Sequence, residues 1–217
     1  ENGILSSFYD SQEDNYKQDH YQFHWNERIN SNWRGSLGLN YTHGRGYYEE
    51  YNDSGSDTNF SYLQLDTFEI GGETISETEN VTRKWLDNDY FVLTASANYS
   101  KGRTLITTGV MISRYIGDHF GTILWAQNSG DVLPRKRFYE NQGDKKETNI
   151  YAKIEQPLTN QITGFIDLQY RNVNYEIDGV LAGPNLFNVD SNYNFFNPKA
   201  GLTFQISNNH QKCGFDY

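Results

Sequence analysis

The stretch QITGFIDLQYRNV, residues 161–173, alternates without a break. Ile162, Gly164, Ile166, Leu168 and Tyr170 fall on one face, and Thr163, Phe165, Asp167, Gln169 and Arg171 on the other. Successive side chains of a strand point to opposite faces, so this period predicts a strand with one apolar and one polar face. The pattern recurs outward along the chain. Residues 147–156 place Ile150, Ala152 and Ile154 against Tyr151, Lys153 and Glu155, and residues 199–207 place Ala200, Leu202, Phe204 and Ile206 against Lys199, Gly201, Thr203 and Gln205. Residues 90–99 alternate Phe91, Leu93, Ala95 and Ala97 with Tyr90, Val92, Thr94 and Ser96. Residues 18–26 alternate Tyr21, Phe23 and Trp25 with His20, Gln22 and His24, and residues 33–43 set Trp33, Leu37, Leu39 and Tyr41 against Arg34, Ser36 and Asn40. Residues 104–115 are less regular, with Ile106, Val110 and Ile112 as the apolar face. The reading is about seven strands of roughly nine to thirteen residues, with no helix.

Composition narrows the class. The chain has 217 residues, with 18 basic and 28 acidic side chains and a net charge of −10. That balance argues against a nucleic-acid partner, which requires a basic face. Only 36% of residues are hydrophobic, yet 16% are aromatic, so apolar groups are spread thinly but the chain does not read as disordered. Cys213 is the one cysteine, which leaves no intrachain disulfide and no cysteine metal cluster. No apolar run is long enough for a transmembrane helix.

Strand length and loop order carry the argument further. Globular strands average five or six residues, whereas a membrane-crossing strand needs about nine to eleven. Long connections are expected at about 1–17, 44–89, 116–146 and 174–198, and short turns at about 27–32, 100–103, 157–161 and 207–211. Strict alternation of the two places all long loops at one end of an up-and-down sheet, as in outer-membrane barrels with short periplasmic turns. Trp25, Trp33 and Tyr99 beside the short turns, and Tyr41 and Tyr170 near the long loops, fit two aromatic girdles; the face of Tyr115 stays open. Phe91, Leu93, Ile150, Ile154, Ile162, Ile166, Leu168, Leu202 and Phe204 are the expected lipid-facing side chains. The competing reading is a soluble β-sandwich that binds a ligand or carbohydrate with its loop aromatics, because a sandwich also alternates.

The runs NYKQDHYQFHWN (15–26), RKWLDNDYF (83–91), RYIGDHFGTILWA (114–126) and TNIYAKIEQPLTNQITGFIDLQYR (148–171) resemble the barrel of TonB-dependent outer-membrane receptors of Bacteroidetes-type bacteria. The resemblance extends from about residue 8 to residue 211. It implies an antiparallel transmembrane barrel segment in the outer membrane of a Gram-negative cell. The implied role is import of a scarce nutrient of the siderophore-iron, cobalamin or glycan class. The implied partners are membrane lipid, a ligand at the outer loops, and a TonB complex acting through a plug domain. No stretch of residues 1–217 reads as that plug, and QKCGFDY at 211–217 does not read as a continuing strand. The chain therefore reads as an internal piece that begins in an outer loop and ends at a periplasmic turn.

Candidate chemistry is sparse. GRGYY at 44–48, with Tyr51, Tyr62, Trp85 and Trp125, forms an aromatic loop set that suits stacking on sugars or chelate rings, or packing of loops on each other. Tyr47, Tyr48, Tyr51, Trp85, His119 and Trp125 are the ligand-binding candidates, His119 as a loop-turn residue in GDHFG. Acidic residues of 44–89, among them Glu49, Glu50, Asp53, Asp57, Glu69 and Glu73, read as a solvated loop surface. His20 and His24 lie about 13 Å apart along a strand, too far to share an ion, so no metal site is expected. Lys153, Glu155, Asp167 and Arg171 read as cross-strand ion pairs on the polar face, and neither a cofactor nor an enzymatic activity is expected. If Ile166 faces lipid, Ile166→Asp is expected to block membrane assembly of the receptor, and normal surface display of that variant would sink the membrane reading.

Overall fold

The computed structural model describes residues 12–128, 130, 135–183, 185–207 and 210–216. Its main strands are β1 (Asp14–Arg28), β2 (Trp33–Asn52), β5 (Asn80–Lys101), β6 (Thr104–Ala126), β7 (Arg137–Pro157), β8 (Ile162–Val180), β9 (Leu186–Ser207) and β10 (His210–Asp216). They form one antiparallel sheet in the order β1-β2-β5-β6-β7-β8-β9-β10, so each strand pairs with its sequence neighbour in that series. A two-stranded hairpin, β3 (Phe68–Ile70) and β4 (Glu73–Ile75), sits in the connection between β2 and β5. Among the described residues no second large sheet faces the first, and a β-sandwich is thereby excluded. The seven expected strands are all present.

The strands run much further than hydrophobic alternation indicates. Residues 44–52, 80–89, 116–126, 137–146, 174–180 and 186–198 stand in strands, not in outer loops. His210–Asp216 also pairs with β9, contrary to the expectation for the last residues. The reason is physical. The ladder needs only backbone donors and acceptors, whereas alternation is visible only where one face is apolar. Of the expected loop at 1–17, residues 1–11 lie outside the described residues and β1 begins at Asp14.

Local chemistry sets the short turns. The Asn30 side chain accepts from the backbone N–H groups of Asn32 and Trp33, closing the turn between β1 and β2. Gly102 takes a positive φ of 63° in the two-residue turn between β5 and β6. Thr159 Oγ1 accepts from the N–H groups of Gln161 and Ile162 in the turn before β8.

The two faces differ as expected, but only over the turn-proximal half. The register strings Leu37, Ala95, Val110, Ile150, Tyr170 and Phe196 into one row across six strands. Trp33, Tyr99, Ile106, Ile154, Ile166 and Ala200 form another. These side chains are not buried: Ile166 is 51% exposed, Ile150 50% and Phe196 63%. The opposite face carries hydrogen-bonded polar pairs such as His20–Thr42, Ser36–Ser96 and Gln169–Asn149. Ion pairs lie there too, with Arg171 reaching Glu147 across the strands at 2.8 Å and Lys153 reaching Glu155 along its own strand at 2.7 Å. Tyr115 is on this polar face, beside Tyr90.

The buried apolar core lies at the loop end, on the polar face. A helical turn, α1 (Phe60–Leu63), presents Phe60 and Leu63, which with Leu65 pack on Ile123 and Phe138. Two bulges make this possible. The register shifts between Val81 and Thr82 against β6, and between Gly121 and Thr122 against β7. The second shift leaves Phe138 as an extra residue beside Tyr139, so both rings reach the same cluster. Phe138 is fully buried, and Phe138→Ala is expected to cost about 3–5 kcal/mol and to expose loop 53–79 to limited proteolysis while the sheet itself persists.

Candidate functional site

Two adjacent rungs of the polar face converge under that loop cluster. One runs Tyr16, Gly46, Leu86, His119, Asn141, and the next runs Asp14, Tyr48, Lys84, Gly121, Tyr139. Asp14, Tyr16, Gly46, Tyr48, Lys84, Leu86, His119 and Tyr139 of these rungs line a recess of about 500 Å³. Each rung contains a glycine where an aromatic ring crosses the backbone. A Cβ on Gly46 would lie 2.3 Å from the Asn15 carbonyl oxygen and 2.6 Å from the Tyr16 ring. A Cβ on Gly121 would lie 2.4 Å from the Tyr139 ring. Gly44 clears the path of Tyr16, whose hydroxyl donates to Asn88 Oδ1 at 3.3 Å. The GRG of 44–46 is therefore a ring seat within a strand.

Lys84 anchors the recess to the loop above it. Its Nζ stands 2.7 Å from Glu50 Oε2 and 3.9 Å from Asp57 Oδ2, and it lies 5.5 Å from the centre of the Tyr48 ring. Burial disfavours its charge, but the hydrogen bond and field of Glu50 prevail and raise its pKa above the ordinary lysine value. Burial pushes the Tyr139 phenol up to about 12 and also raises that of Tyr62, so both remain neutral donors at physiological pH. Lys136 Nζ donates to the Gln64 carbonyl, the Gly183 N–H to the Tyr62 carbonyl, and the Asn128 N–H to Thr78 Oγ1. Three loop-end connections are thus tied to one another over the recess.

The chemistry offered is three phenol rings, an imidazole, the Asp14 carboxylate and an ammonium held by two further carboxylates. Such a surface stacks on flat rings and hydrogen-bonds hydroxyl groups. Among the described residues no group of three or more histidine, cysteine or acidic side chains is placed to hold a metal ion.

The residues singled out by sequence divide between the two faces. Tyr48 and His119 are in the recess, and His119 is a strand residue of β6 rather than a turn residue. Tyr47 and Trp85 border the recess, but their rings meet at a tilt, 4.6 Å apart, in a rung of the opposite face, where Phe120 stacks on Trp85 at 5.8 Å. Arg83 covers Tyr47 at 4.2 Å and Arg45 covers Trp85 at 5.3 Å, while the Tyr47 hydroxyl donates to Glu13. Tyr51 donates to Glu79 at 2.5 Å, and Trp125 lies opposite Val81 with half its surface exposed. Tyr16, Lys84, Leu86 and Tyr139 were not anticipated. No alternation marks Lys84 and Leu86 in the sequence, because both faces of residues 83–89 carry polar side chains.

No family model matches the chain, and no curated protein matches it by sequence. Among solved structures it is similar to the ferric-catecholate import receptor Fiu from E. coli K12 in its closed form, with a TM-score of 0.56 and 17% identity. That match covers 91% of this chain and 32% of the receptor chain, so the chain spans about a third of the receptor's length. At this identity the likeness concerns the fold, and it supports the receptor-type barrel architecture that the sequence resemblance implied. Gly46→Ala is expected to expel the Tyr16 ring, losing its hydrogen bond to Asn88 and about 1–3 kcal/mol of stability, measurable as a lowered thermal midpoint against Gly143→Ala, where a Cβ meets nothing within 4 Å.

Proposed function

We propose that the chain is part of the barrel wall of an outer-membrane receptor that imports a scarce nutrient. The apolar face lies in lipid, the polar face lines the lumen, and the recess at the loop end binds the ligand. One observation carries this reading. The apolar band has the same height at the two ends of the sheet, Trp33 to Tyr41 on β2 and Ile162 to Tyr170 on β8, but slips along the strands. Its upper border passes through Tyr41 on β2 and, four residues nearer the turns, through the row of Leu37 on β8 and β9, at Tyr170 and Phe196. Its lower border slips equally, from the row of Trp33 to that of Ile162 and Phe204. Five strand steps and four residues correspond to a tilt of roughly 30° between the strands and the band's normal. Barrel walls tilt by about 35–45°, and a soluble sheet has no reason to keep a slanted apolar band exposed.

Band height agrees. From Trp33 to Tyr41 the strand rises about 26 Å, close to the 25 Å apolar belt of such barrels. The Tyr21–Tyr41–Phe91 rings, 5.9 and 4.8 Å apart, lie along one border, and Trp33 and Tyr99, 4.9 Å apart, along the other. The remaining length of β5 and β6, which have 22 and 23 residues, projects beyond the membrane toward the loops.

For the ligand, the rings and phenols of the recess, whose ammonium is already paired with carboxylates, favour a ring-bearing or hydroxyl-rich molecule, within the siderophore-iron, cobalamin or glycan classes. Engagement of a TonB complex through a plug belongs to the whole receptor. Neither a catalytic role nor a cofactor is part of this reading.

The test combines labelling and binding. In outer-membrane fractions, a cysteine at Ile166 should react only with membrane-soluble reagents and one at Asn149 only with water-soluble ones. Equal labelling of both by the aqueous reagent would overturn the reading. A ferric catecholate, cobalamin and a malto-oligosaccharide serve as three probes of the recess. Tyr48→Ala is expected to weaken the probe that binds by up to about tenfold, the worth of one ring contact.

A further inference from the structure

The upper border of the apolar band holds a second site, outside the lumen. Tyr41, Phe91, Leu39, Leu93 and Ile112 line a shallow recess of about 530 Å³ on the apolar face, and Arg114 stands at its rim. Arg114 pairs in the ladder with Lys146, so two cations lie side by side at the edge of the apolar surface. Both lean on one carboxylate. Arg114 Nη2 is 2.8 Å from Asp144 Oδ2, and Lys146 Nζ is 3.3 Å from the same oxygen. Glu176, beside Asp144 in the ladder, is the next carboxylate to act on Arg114, and each cation keeps half its side-chain surface exposed.

The sequence of rows sharpens the point. The top row of the recess, Tyr41 and Phe91, continues through Arg114 and Lys146 to Asn174 and Asn192, all four hydrogen-bond donors and none of them a carboxylate. The next row up holds Asp89, Asp144, Glu176 and Asp190. Donors therefore sit at the apolar border, and acids begin one row farther out. Cations at the edge of an apolar slot complement a molecule with an anionic head and an alkyl tail.

We infer that this border binds an anionic lipid of the surrounding leaflet, with one acyl chain in the recess and its phosphate on Arg114 and Lys146. The inference rests on the membrane reading of the apolar face. It gives the barrel a fixed lipid contact on the β5–β6–β7 sector, opposite in face to the nutrient recess.

The experiment is native mass spectrometry of the detergent-extracted protein titrated with dimyristoyl phosphatidic acid or dimyristoyl phosphatidylcholine. The two probes share chains and differ in access to the phosphate. The native protein should retain phosphatidic acid at least about tenfold more tightly. Arg114→Gln with Lys146→Gln should lose that preference, and Asp144→Asn should strengthen it by freeing both cations. Ile112→Gln should weaken both lipids alike, leaving the preference in place. Equal binding of the two lipids by the native protein, or an unchanged preference in the double variant, overturns the site and leaves the receptor reading intact. Displacement of phosphatidic acid by millimolar inorganic phosphate also overturns it, because the site then takes a soluble anion. A protein that fractionates without detergent as a water-soluble species overturns both readings together.

Discussion

The continuous backbone ladder is the constraint on which the rest of the structure depends. It runs through eight strands, so every interior strand exchanges hydrogen bonds with two neighbours. In water such pairing contributes modestly, because solvent is an alternative partner. In hydrocarbon each unpaired peptide group costs several kcal/mol, and only a closed set of strands or a helix satisfies them all. The ladder therefore lets Ile150 and Ile166 stay exposed without a core beneath them. It also explains how a chain of which only 36% is hydrophobic holds a defined fold. Apolar groups are needed on one half of one face, and the other face is held by hydrogen bonds and ion pairs.

Above the apolar band the same ladder serves a different purpose. Both faces become polar, and the strands act as struts that carry the loop-end connections away from the apolar band. The struts would be loose without something to brace them. Two bulges bring Ile123 and Phe138 against Phe60, Leu63 and Leu65, giving the wall a small buried core where it most resembles a soluble protein. Lys84 adds an ionic tie between wall and loop. The recess lies directly below this core, so its shape depends on how the loop is seated. A rigid roof of this kind pre-organises the rings that would meet a ligand.

Sequence reasoning and structure part company at identifiable residues. The strand at 161–173 and the place of Ile166 on its apolar face were legible because an apolar residue at every second position has one simple solution. The upper strands were not. At 83–89, RKWLDND, the outer face carries Arg83, Trp85, Asp87 and Asp89, and the inner face Lys84, Leu86 and Asn88, so neither face reads as apolar. Polarity on both sides removes the alternation while leaving the pairing untouched. Tyr47, Trp85 and the GRG stretch were consequently expected in a loop, where composition could suggest ligand contact but not direction.

Sequence by itself determined the all-β class, the up-and-down order of the strands and the identity of the apolar face, because the period of two is a local property of the chain. The tertiary structure decided what depends on register between strands distant in sequence: the slant of the apolar band, the pairing of Arg114 with Lys146, and the meeting of Tyr16, Tyr48, Lys84, His119 and Tyr139 in one recess. Register shifts only in steps of whole residues, and a slip of one would send every side chain to the opposite face. That choice is made by the turns, the bulges and the cross-strand contacts acting together, and no single segment contains it.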